Sequence, residues 1–216
     1  MKGYEFWVKL RYDEFKEAEP FSDLRVEGPV IVRMDGVKFS KYTKAFGSVR
    51  DERIHRALVD SAKELLQYYS CSSAYVSSDE VSVYCEEPPF GGRVEKLVST
   101  FASFLGAHFS AKVSPPGWFD GRVVKAEWGP YVAWRLKVTL CNYASKVTGK
   151  PCREALKEVT PPPIAYGTLI VRGEYLKEGF DPIRKKKVLV RRRRLKEMVG
   201  EEVLSYLKEM NGGSPR

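Results

Sequence analysis

The chain has 216 residues, 43% of them hydrophobic and 12% aromatic, and a formal net charge of +9. That hydrophobic content allows a buried core in one generous domain, or in one domain with an appendage, and excludes a disordered polymer. No stretch approaches the roughly 18–20 consecutive apolar residues of a membrane helix, and the first residues lack the apolar core of a signal peptide. We therefore expect a soluble, cytoplasmic protein with no membrane partner.

The cysteines and histidines bear on metal binding and on the redox compartment. No two cysteines stand in a Cys-x-x-Cys spacing, and only His55 and His108 are available to complete a zinc site, so the pattern disfavours zinc. In a cytoplasmic protein we expect the thiols to be buried and reduced. The four cysteines are Cys71, Cys85, Cys141 and Cys152.

The N-terminal segment, residues 1–28, mixes aromatic and charged side chains. The spacing between Phe6 and Glu14 allows an amphipathic helix. We expect this segment to form an arm that packs on the body of the protein or on another subunit.

The first strand is predicted over Pro29–Met34, a short run rich in β-branched residues that ends at Asp35-Gly36. Gly36 would let the backbone approach a ligand closely. Residues 37–50 form a basic and aromatic loop or broken helix. A loop of this kind, directly after a metal-binding aspartate, is where we expect the phosphates and base of a nucleotide.

A helix is predicted over residues 51–69, with Asp51 or Ser48 as its N-cap. His55 falls inside it, and we interpret this histidine as a surface or packing residue. The later elements follow from alternation, periodicity and turn residues. They are hairpin strands over residues 74–77 and 81–85 around Ser78-Asp79-Glu80, a helix over 93–112, an edge strand over 119–124, a helix over 135–147, a linker at Pro161–Pro163, ribbon strands over 167–171 and 188–190, and a helix over 195–210.

From residue 29 to residue 124 the predicted order is strand, helix, strand, strand, helix, strand. This order is typical of an α+β, ferredoxin-like βαββαβ domain, an antiparallel sheet covered on one face by two helices. A basic β-ribbon and a helix follow at the C-terminus. Because the first and third strands are neighbours in this arrangement, we expect Asp35 and Asp79 to lie close together.

Two carboxylates held close repel each other, and a divalent cation between them offsets the repulsion. Mg²⁺ suits such a pair because it prefers oxygen ligands, takes one or two protein carboxylates and leaves positions open for substrate phosphates. Asp35 and Asp79 are therefore candidates for a magnesium site that supports phosphoryl or nucleotidyl transfer. The alternative is that Asp-Gly and Ser-Asp-Glu are turn sequences without a metal.

The positive charge is concentrated in residues 184–196, which hold nine basic side chains and no acidic one. Removing these nine from the 37 Lys and Arg leaves 28, which equals the number of Asp and Glu. So dense a charge attracts polyanions, and we expect nucleic acid as the partner, because Val188-Leu189-Val190 interrupts the run as an ordered strand would. The alternatives are a solvated tail or a patch for anionic membranes. The proposed RNA-binding residues are Arg191, Arg192, Arg193 and Arg194.

Three motifs occur in a specific order, Arg33-Met34-Asp35-Gly36-x-x-Phe39, then Ser78-Asp79-Glu80, then Phe119-Asp120-Gly121-Arg122-Val123-Val124. In combination they resemble the tRNA(His) guanylyltransferase family and its archaeal and bacterial relatives that repair tRNA 5′ ends. The resemblance covers roughly residues 29–143 as a continuous series of motifs. It implies a palm-like catalytic domain over residues 29–160 and a C-terminal part, residues 161–216, that binds RNA or forms oligomers.

The resemblance also implies an activity, namely Mg²⁺-dependent addition of nucleotides to a tRNA or RNA 5′ end in the 3′ to 5′ direction. GTP and ATP are the implied substrates, and a homodimer or homotetramer is the implied assembly. When the family's residues are transferred by position, two Mg²⁺ ions are bound by Asp35, Asp79 and the carbonyl of Gly36. The implied catalytic residues are Asp35, Asp79 and Glu80. The implied nucleotide-binding residues are Asp35, Gly36, Val37, Lys38, Phe39, Ser40, Ser78 and Asp79.

The chain also departs from the family pattern. Ser48 stands where the family tends to have a basic residue, Leu140 where eukaryotic members have a histidine, and Ala165-Tyr166 where they have Arg-Lys. Because these positions handle triphosphate and tRNA, nucleotide choice and tRNA selectivity stay open, with Lys38, Lys44 or the basic ribbon as substitutes. A repair-type relative fits better than a dedicated tRNA(His) enzyme.

Two other classes of function compete with this reading. A ferredoxin-like fold also serves as a noncatalytic RNA-binding platform, and the replaced basic positions are compatible with a structural partner whose active site has decayed. The acidic pair favours the enzyme, because an RNA-binding module gains nothing from two carboxylates facing phosphates.

Overall fold

The computed structural model describes residues 12–210. Within that range it has seven α-helices and six strands, joined in places by short 3₁₀ turns. In chain order the elements are α1 (Tyr12–Glu17), β1 (Val30–Gly36), α2 (Phe39–Tyr42), α3 (Glu52–Tyr69), β2 (Ser73–Ser77), β3 (Glu80–Cys85), α4 (Val94–Ser110), β4 (Phe119–Val124), α5 (Trp128–Thr148), α6 (Cys152–Glu158), β5 (Thr168–Asp181), β6 (Lys186–Val199) and α7 (Glu201–Met210).

The strands form one antiparallel sheet of six strands in the order β4-β1-β3-β2-β5-β6. The expected pairing of the first strand with the third is observed, and β4 is an edge strand as predicted. In this register Asp35 lies opposite Glu80 on one side and Asp120 on the other. Directly paired residues share a sheet face, so these three carboxylates form one row.

Apolar cores lie on both faces of the sheet. On one face Val30, Val32 and Met34 of β1 pack with α3 and α4, and on the other Ile31 packs with α5 and α7. The two helices within the predicted βαββαβ order, α3 and α4, thus lie on one face, and α5 and α7, which come later in the chain, cover the other. The reason is that β1 carries apolar side chains on both faces, and the second face needs helices of its own.

Helix α3 starts where the sequence predicts. Of the two N-cap candidates, Asp51 is the cap: its carboxylate accepts hydrogen bonds from the main-chain N–H groups of Arg53 (2.9 Å) and Ile54 (3.4 Å). Ser48 instead accepts from the N–H of Arg50 at 3.3 Å. Ser48 thus shapes the loop that leads into the helix.

The helices after β4 depart from the prediction. Helix α5 begins at Trp128 rather than Arg135, and α6 was not predicted. Gly129 and Pro130 resemble a turn in the sequence, but proline is tolerated in the first turn of a helix, where its missing N–H would have no partner.

The ribbon strands are also longer than predicted. Strands β5 and β6 have 14 residues each, and β6 runs to Val199, where a helix from Leu195 had been expected. Tertiary contacts keep this end of the chain extended, because Glu197 accepts hydrogen bonds from Arg56 (2.9 Å) and Lys63 (2.7 Å) of α3. Helix α7 therefore starts only at Glu201.

The expectation of reduced thiols is wrong. Cys71 and Cys85 form a disulfide between the residues that flank the β2–β3 hairpin, and Cys141 and Cys152 join α5 to α6. The Cα atoms of the two pairs lie 4.4 Å and 4.8 Å apart. Both contacts are created by the packing of neighbouring elements, which the sequence spacing of the cysteines does not reveal.

Only part of the predicted N-terminal arm is described. Residues 1–11 lie outside the described range, so the helix expected between Phe6 and Glu14 is seen only from Tyr12 onward. None of the described helices combines the length and the apolar character needed to cross a membrane.

Candidate active site

The acidic residues singled out in the sequence meet at the edge of the sheet that is formed by the ends of the central strands β1, β2 and β3. Asp35 is near the end of β1, and Asp79 lies in the two-residue turn between β2 and β3. The Gly36 N–H donates to the main-chain carbonyl of Asp79 at 3.0 Å. The backbone itself therefore holds the end of β1 against the hairpin turn, and the two carboxylates belong to one site.

The electrostatic environment of Asp35 reflects this crowding. The pKa of Asp35 is raised above its ordinary value, first by burial and then by repulsion from Asp79, with a smaller contribution from Asp120. Arg33, 3.6 Å from the Asp35 carboxylate, and Arg122 oppose the shift. Burial therefore sets the direction of the pKa shift, and the charge of Asp79 adds to it.

Asp120 was not recognised as part of this row, because its position depends on the register of β4 against β1. It is half exposed and pairs with Arg122 at 2.8 Å. The sequence signal that could have identified Asp120 was its position in the Phe-Asp-Gly-Arg stretch, on a strand that was expected at the sheet edge.

Glu80 occupies a different environment from the two aspartates. Its side chain is 2% exposed and accepts hydrogen bonds from Arg33 (2.6 Å), Arg135 and Ser82 (3.1 Å). Burial raises the pKa of Glu80 even though the two guanidinium groups favour its charged form. The carboxylate is therefore enclosed by protein donors and holds Arg33 beside Asp35.

The loop after β1 is shaped by close contacts of its backbone. A Cβ atom at Gly36 would collide with the ring of Phe39, which is buried. That ring stacks on Tyr42 with centroids 4.6 Å apart, and the Val37 N–H donates to the carbonyl of Trp118 at 2.9 Å. Lys38 takes a left-handed conformation with φ 57°. Glycine is needed here because the chain turns directly over an aromatic cluster.

A cleft opens beside this loop, between α2, the start of α3, the β2–β3 turn and α5. Besides Asp79, its polar lining includes Ser40, Ser78, Arg50, His55 and Lys146. Ser40 and Ser78 were expected to bind nucleotide, whereas Arg50 and Lys146 were missed. Two cationic side chains next to an acidic pair form a suitable environment for a triphosphate that is itself bound to a divalent cation.

Arg50 is the least satisfied of these groups. Its guanidinium donates to the Thr139 hydroxyl at 3.3 Å and to the Val49 carbonyl at 3.1 Å, but its Nε is buried without a hydrogen-bond partner among residues 12–210. Burial lowers the pKa of Arg50, and the charge of Asp79 opposes this shift. Arg50 is only two residues beyond Ser48, so it supplies a cation close to the position where the family pattern expects one.

His55 is a neutral member of the cleft. Its Nε2 is 2.8 Å from the Thr168 hydroxyl, and burial together with the charge of Arg50 lowers its pKa to about 4. This agrees with its interpretation as a packing residue.

The other positions that depart from the family pattern provide no cation. Leu140 packs against the core beneath α5. Ala165 is fully buried, and the main-chain carbonyl of Tyr166 accepts a hydrogen bond from the Tyr75 hydroxyl at 2.6 Å.

The four arginines expected to bind RNA do not join the acidic edge. Residues 191–194 lie on β6 opposite residues 173–176 of β5, beyond the part of β5 that pairs with β2. The structure therefore separates an acidic site with its cleft from a basic surface.

The donor set at the acidic edge fits Mg²⁺. Between residues 12 and 210, no group of three or more His, Cys, Asp or Glu is arranged to enclose a metal. Asp35, Asp79 and the Gly36 carbonyl are instead a small set of oxygen donors, which is what Mg²⁺ takes when substrate phosphates and water complete its coordination. Burial and the repulsion from Asp79 both raise the pKa of Asp35 and so disfavour its charged form, which a bound cation would favour.

Comparison with known proteins gives consistent results. The sequence model of the tRNAHis guanylyltransferase family matches residues 12–126. A tRNA(His) guanylyltransferase of Debaryomyces hansenii is 34% identical over 107 residues, which are 47% of this chain and 40% of that protein. An uncharacterized protein of Acanthamoeba polyphaga mimivirus is 26% identical over 113 residues, 45% of this chain and 39% of that protein. The matched regions therefore span about two fifths of the length of these relatives.

Solved structures resemble the whole fold. A bacterial tRNA(His) guanylyltransferase-like protein in complex with ATP has a TM-score of 0.73 at 24% identity, covering 92% of this chain and 96% of that chain. A bacterial tRNA(His) guanylyltransferase-like protein in complex with GTP gives 0.68 at 22% identity, with 92% and 95% covered. The tRNA(His) guanylyltransferase of Saccharomyces cerevisiae gives 0.60 at 20% identity, with 83% and 96% covered. At these identities the likeness establishes a shared fold.

Proposed function

This chain belongs to the tRNAHis guanylyltransferase family, and we propose that it is a nucleotidyltransferase that adds nucleotides to the 5′ end of a tRNA in the 3′ to 5′ direction. The observation that carries the proposal is the meeting of Asp35 and Asp79 at the sheet edge, beside a cleft that contains Arg50 and Lys146. An acidic pair that can hold a cation, next to basic side chains that can bind phosphates, suits the transfer of a phosphate-containing group.

The catalytic unit in this proposal is a palm-like, ferredoxin-type domain. Strands β4-β1-β3-β2 and the helices α3 and α4 that cover one face provide it. The rest of the sheet, formed by β5 and β6, is an extension of that unit toward RNA.

Asp35, Asp79 and the carbonyl of Gly36 would hold Mg²⁺. When bound, the cation neutralises charge on the triphosphate and favours ionisation of the attacking hydroxyl. The remaining chemistry is positioning, which the chain's own residues perform.

The residues Asp35–Ser40 and Ser78–Asp79 bind the nucleotide, largely through main-chain groups that the tight loop and the turn present. ATP and GTP are the proposed substrates, in agreement with the nucleotides named for the two bacterial proteins of this fold. Arg50 and Lys146 contact the triphosphate and replace the cation that Ser48 lacks. Charge-assisted hydrogen bonds to phosphate are strong in a partly buried cleft, and Arg50 lines this cleft.

In the reaction, the 5′ phosphate of the RNA first attacks the α-phosphorus of a nucleoside triphosphate, which forms a phosphoanhydride and releases pyrophosphate. The 3′-hydroxyl of the incoming nucleotide then attacks the activated 5′ phosphorus, so that a P–O bond forms to the new nucleotide and the nucleoside monophosphate leaves. The hydroxyl proton passes to water as the bond forms. Polar groups fixed before the reaction stabilise the charge that develops on the phosphate oxygens.

Glu80 acts as a positioning residue in this scheme. Its oxygens accept from Arg33, Arg135 and Ser82, so it holds the arginine next to Asp35 and leaves the aspartates to face the ligand. We extend the proposal to a homodimer or homotetramer that works in the cytoplasm, where its tRNA substrate is processed and where its two disulfides are exceptions to the reduced state of most thiols. Sedimentation velocity of the purified chain tests the assembly.

The decisive experiment measures transfer of labelled GTP to a 5′-truncated tRNA in the presence of ATP and Mg²⁺. Asp35→Ala and Asp79→Ala should each reduce the rate at least about 10³-fold, a loss typical of removing a central catalytic group, with an unchanged circular dichroism spectrum. Asp60→Ala, which removes an acid from the exposed side of α3, is the matched control and should retain wild-type activity. A folded Asp35→Ala or Asp79→Ala variant that extends the tRNA at the wild-type rate would refute the proposed chemistry.

The same experiment distinguishes the proposed enzyme from the alternative, a noncatalytic RNA-binding protein. Such a protein would bind tRNA, and neither the wild type nor any variant would incorporate label. Mg²⁺-dependent binding of a nucleoside triphosphate by the wild type, absent in Asp79→Ala, would favour the enzyme.

A further inference from the structure

Strands β5 and β6 extend far beyond the rest of the sheet. β5 pairs with β2 only over Thr168–Val171, and from Arg172 to Asp181 it pairs with β6 alone. We call the segments Arg172–Asp181 and Lys186–Leu195 the ribbon. Its ten residue pairs correspond to about 30 Å of two-stranded sheet at ~3.3 Å per residue.

The two sides of the ribbon differ in how their cations are paired with acids, because side chains alternate along a strand and paired residues share a side. One side, which we call the neutral side because acids lie beside its exposed cations, carries Arg172, Lys187, Arg191 and Arg193 together with Glu174 and Glu178. Arg191 and Arg193 contact Glu174, at 3.3 Å and 3.2 Å, and Lys187 lies 3.9 Å from Glu178. The neutral side also exposes large apolar side chains, namely Leu176, Phe180 and Leu189.

The opposite side, which we call the cationic side, has no such compensation. It carries Lys177 of β5 and Lys186, Arg192 and Arg194 of β6. None of these four forms an ion pair with a carboxylate anywhere in residues 12–210.

The one acid on the cationic side stands at the tip of the ribbon. The carboxylate of Asp181 accepts from the N–H groups of Ile183 and Arg184 in the turn, at 2.9 Å and 3.0 Å. Its role is to stabilise the turn. The guanidinium of Arg194 lies over the ring of Tyr175 on the cationic side, 5.2 Å from the centroid.

We propose that the cationic side is the RNA-binding surface of the ribbon, with Arg192 and Arg194 as its central contacts, and that Arg191 and Arg193 on the neutral side do not take part. The inference rests on the proposed function, which supplies an RNA substrate. Unpaired cations at the spacing of alternate strand residues contact successive backbone phosphates, and Tyr175 with Arg194 offers a platform for a base.

The aromatic platform on the cationic side favours RNA over a lipid surface, because the Tyr175 ring beside Arg194 is suited to stacking on a base. The exposed Leu176, Phe180 and Leu189 lie on the opposite side. Elements that lie on a membrane also carry cations and apolar side chains on opposite faces, so binding to vesicles is one arm of the test.

The ribbon is an anchor and not part of the reacting site. Thr168 at the start of β5 pairs with Val76, near the β2–β3 turn, and β5 then runs away from that turn. At ~3.3 Å per residue, Tyr175 is about 23 Å along the strand from Thr168. Removing its cations should therefore weaken RNA binding without changing the chemical step.

Two double variants form a matched pair for the test. Arg192→Ala/Arg194→Ala and Arg191→Ala/Arg193→Ala remove the same two charges from the same strand and differ only in the side. Binding of a labelled tRNA transcript is measured without nucleotide over a series of salt concentrations. Nucleotide addition is measured over a series of tRNA concentrations, and unfolding midpoints verify that each variant folds.

We expect the 192/194 variant to bind about tenfold or more weakly at physiological salt and to lower the slope of log K against log salt by about 1.4–1.8, since each phosphate contact contributes ~0.7–0.9. The 191/193 variant should stay within about twofold of the wild type. The KM for tRNA in the addition reaction should rise in the 192/194 variant by about the same factor as its Kd and stay near the wild-type value in the 191/193 variant. Glu174→Gln, which adds net positive charge to the neutral side, should leave affinity unchanged.

Equal losses from both double variants, or tighter tRNA binding by Glu174→Gln, would overturn the assignment of a side while leaving the proposed function intact. A wild-type protein that binds phosphatidylserine vesicles and no tRNA would overturn both. Wild-type addition to tRNA with binding unaffected by either variant would show that RNA is held elsewhere.

Discussion

Replacing Glu80 by alanine tests how the candidate site is supported. Glu80 is 2% exposed, and the side chains of its partners Arg33 and Arg135 are 18% and 12% exposed. Glu80→Ala leaves two nearly buried guanidinium groups with Asp35, 3.6 Å from Arg33, as the remaining carboxylate in contact. Removing one partner of a buried ion pair costs about 3–5 kcal/mol, because the other charge stays desolvated.

For a domain of this size, 1 kcal/mol corresponds to roughly 2–4 °C in Tm, so the expected loss is roughly 6–20 °C. Urea unfolding should show a lower midpoint at an unchanged slope. The control is Glu158→Ala, which removes one partner of the Lys150–Glu158 pair, where both side chains are 48% exposed. An exposed pair contributes about 0–1 kcal/mol.

A cycle with Arg135→Ala adds a second criterion. If Arg135 is held by Glu80, the double variant should lose less stability than the two single losses added together. Glu80→Ala with a stability loss no greater than that of Glu158→Ala would refute the buried cluster and its role in positioning Arg33. The raised pKa of Glu80 is compatible with this expectation, since an ion pair that is costly to bury is still costly to break.

Three further outcomes are expected. Gly36→Ala forces a methyl group into the buried ring of Phe39, so it should lower the free energy of unfolding in urea by about 1–3 kcal/mol and also weaken nucleotide binding. Gly173→Ala is the control and should be near neutral, because its added Cβ meets nothing closer than 3.9 Å. Arg50→Ala should raise the KM for the nucleoside triphosphate about tenfold or more with a smaller change in kcat, and Arg50→Lys should restore part of the loss; an unchanged KM would exclude a contact with the triphosphate. The pKa of His55 is about 4 in the folded chain, so the unfolded chain takes up the proton first as the pH falls below about 6.5. The free energy of unfolding should therefore drop by about 1–2 kcal/mol between pH 7 and pH 5. Urea titrations at the two pH values should show this drop in the wild type and not in His55→Gln.

Local sequence patterns were sufficient to predict the strands and the turn that carry Asp35 and Asp79. The β-branched run before Asp35, the alternation on either side of Asp79 and the Asp51 cap all describe structure formed by neighbours in sequence, and strand order then predicted their convergence. The roles of Asp35, Asp79 and the nucleotide loop stay predictions.

The residues that were missed depend on long-range packing. Asp120 joins the acidic row only through the register of β4, Arg50 enters the cleft through a loop whose path no periodicity encodes, and Arg135 reaches Glu80 from a helix whose start was hidden by Pro130. The extent of β6 was also missed, because a strand exposed on both sides lacks the apolar alternation that identifies half-buried strands.

The hydrogen bond from the Gly36 N–H to the Asp79 carbonyl has a consequence for how this edge tolerates change. Because the distance between the two acid-bearing segments is set by main-chain atoms, exchanging either side chain alters the charge of the edge and not its span. A variant that has lost either carboxylate should therefore keep the backbone frame of the site, so that its loss of activity reports the missing charge and not a displaced segment.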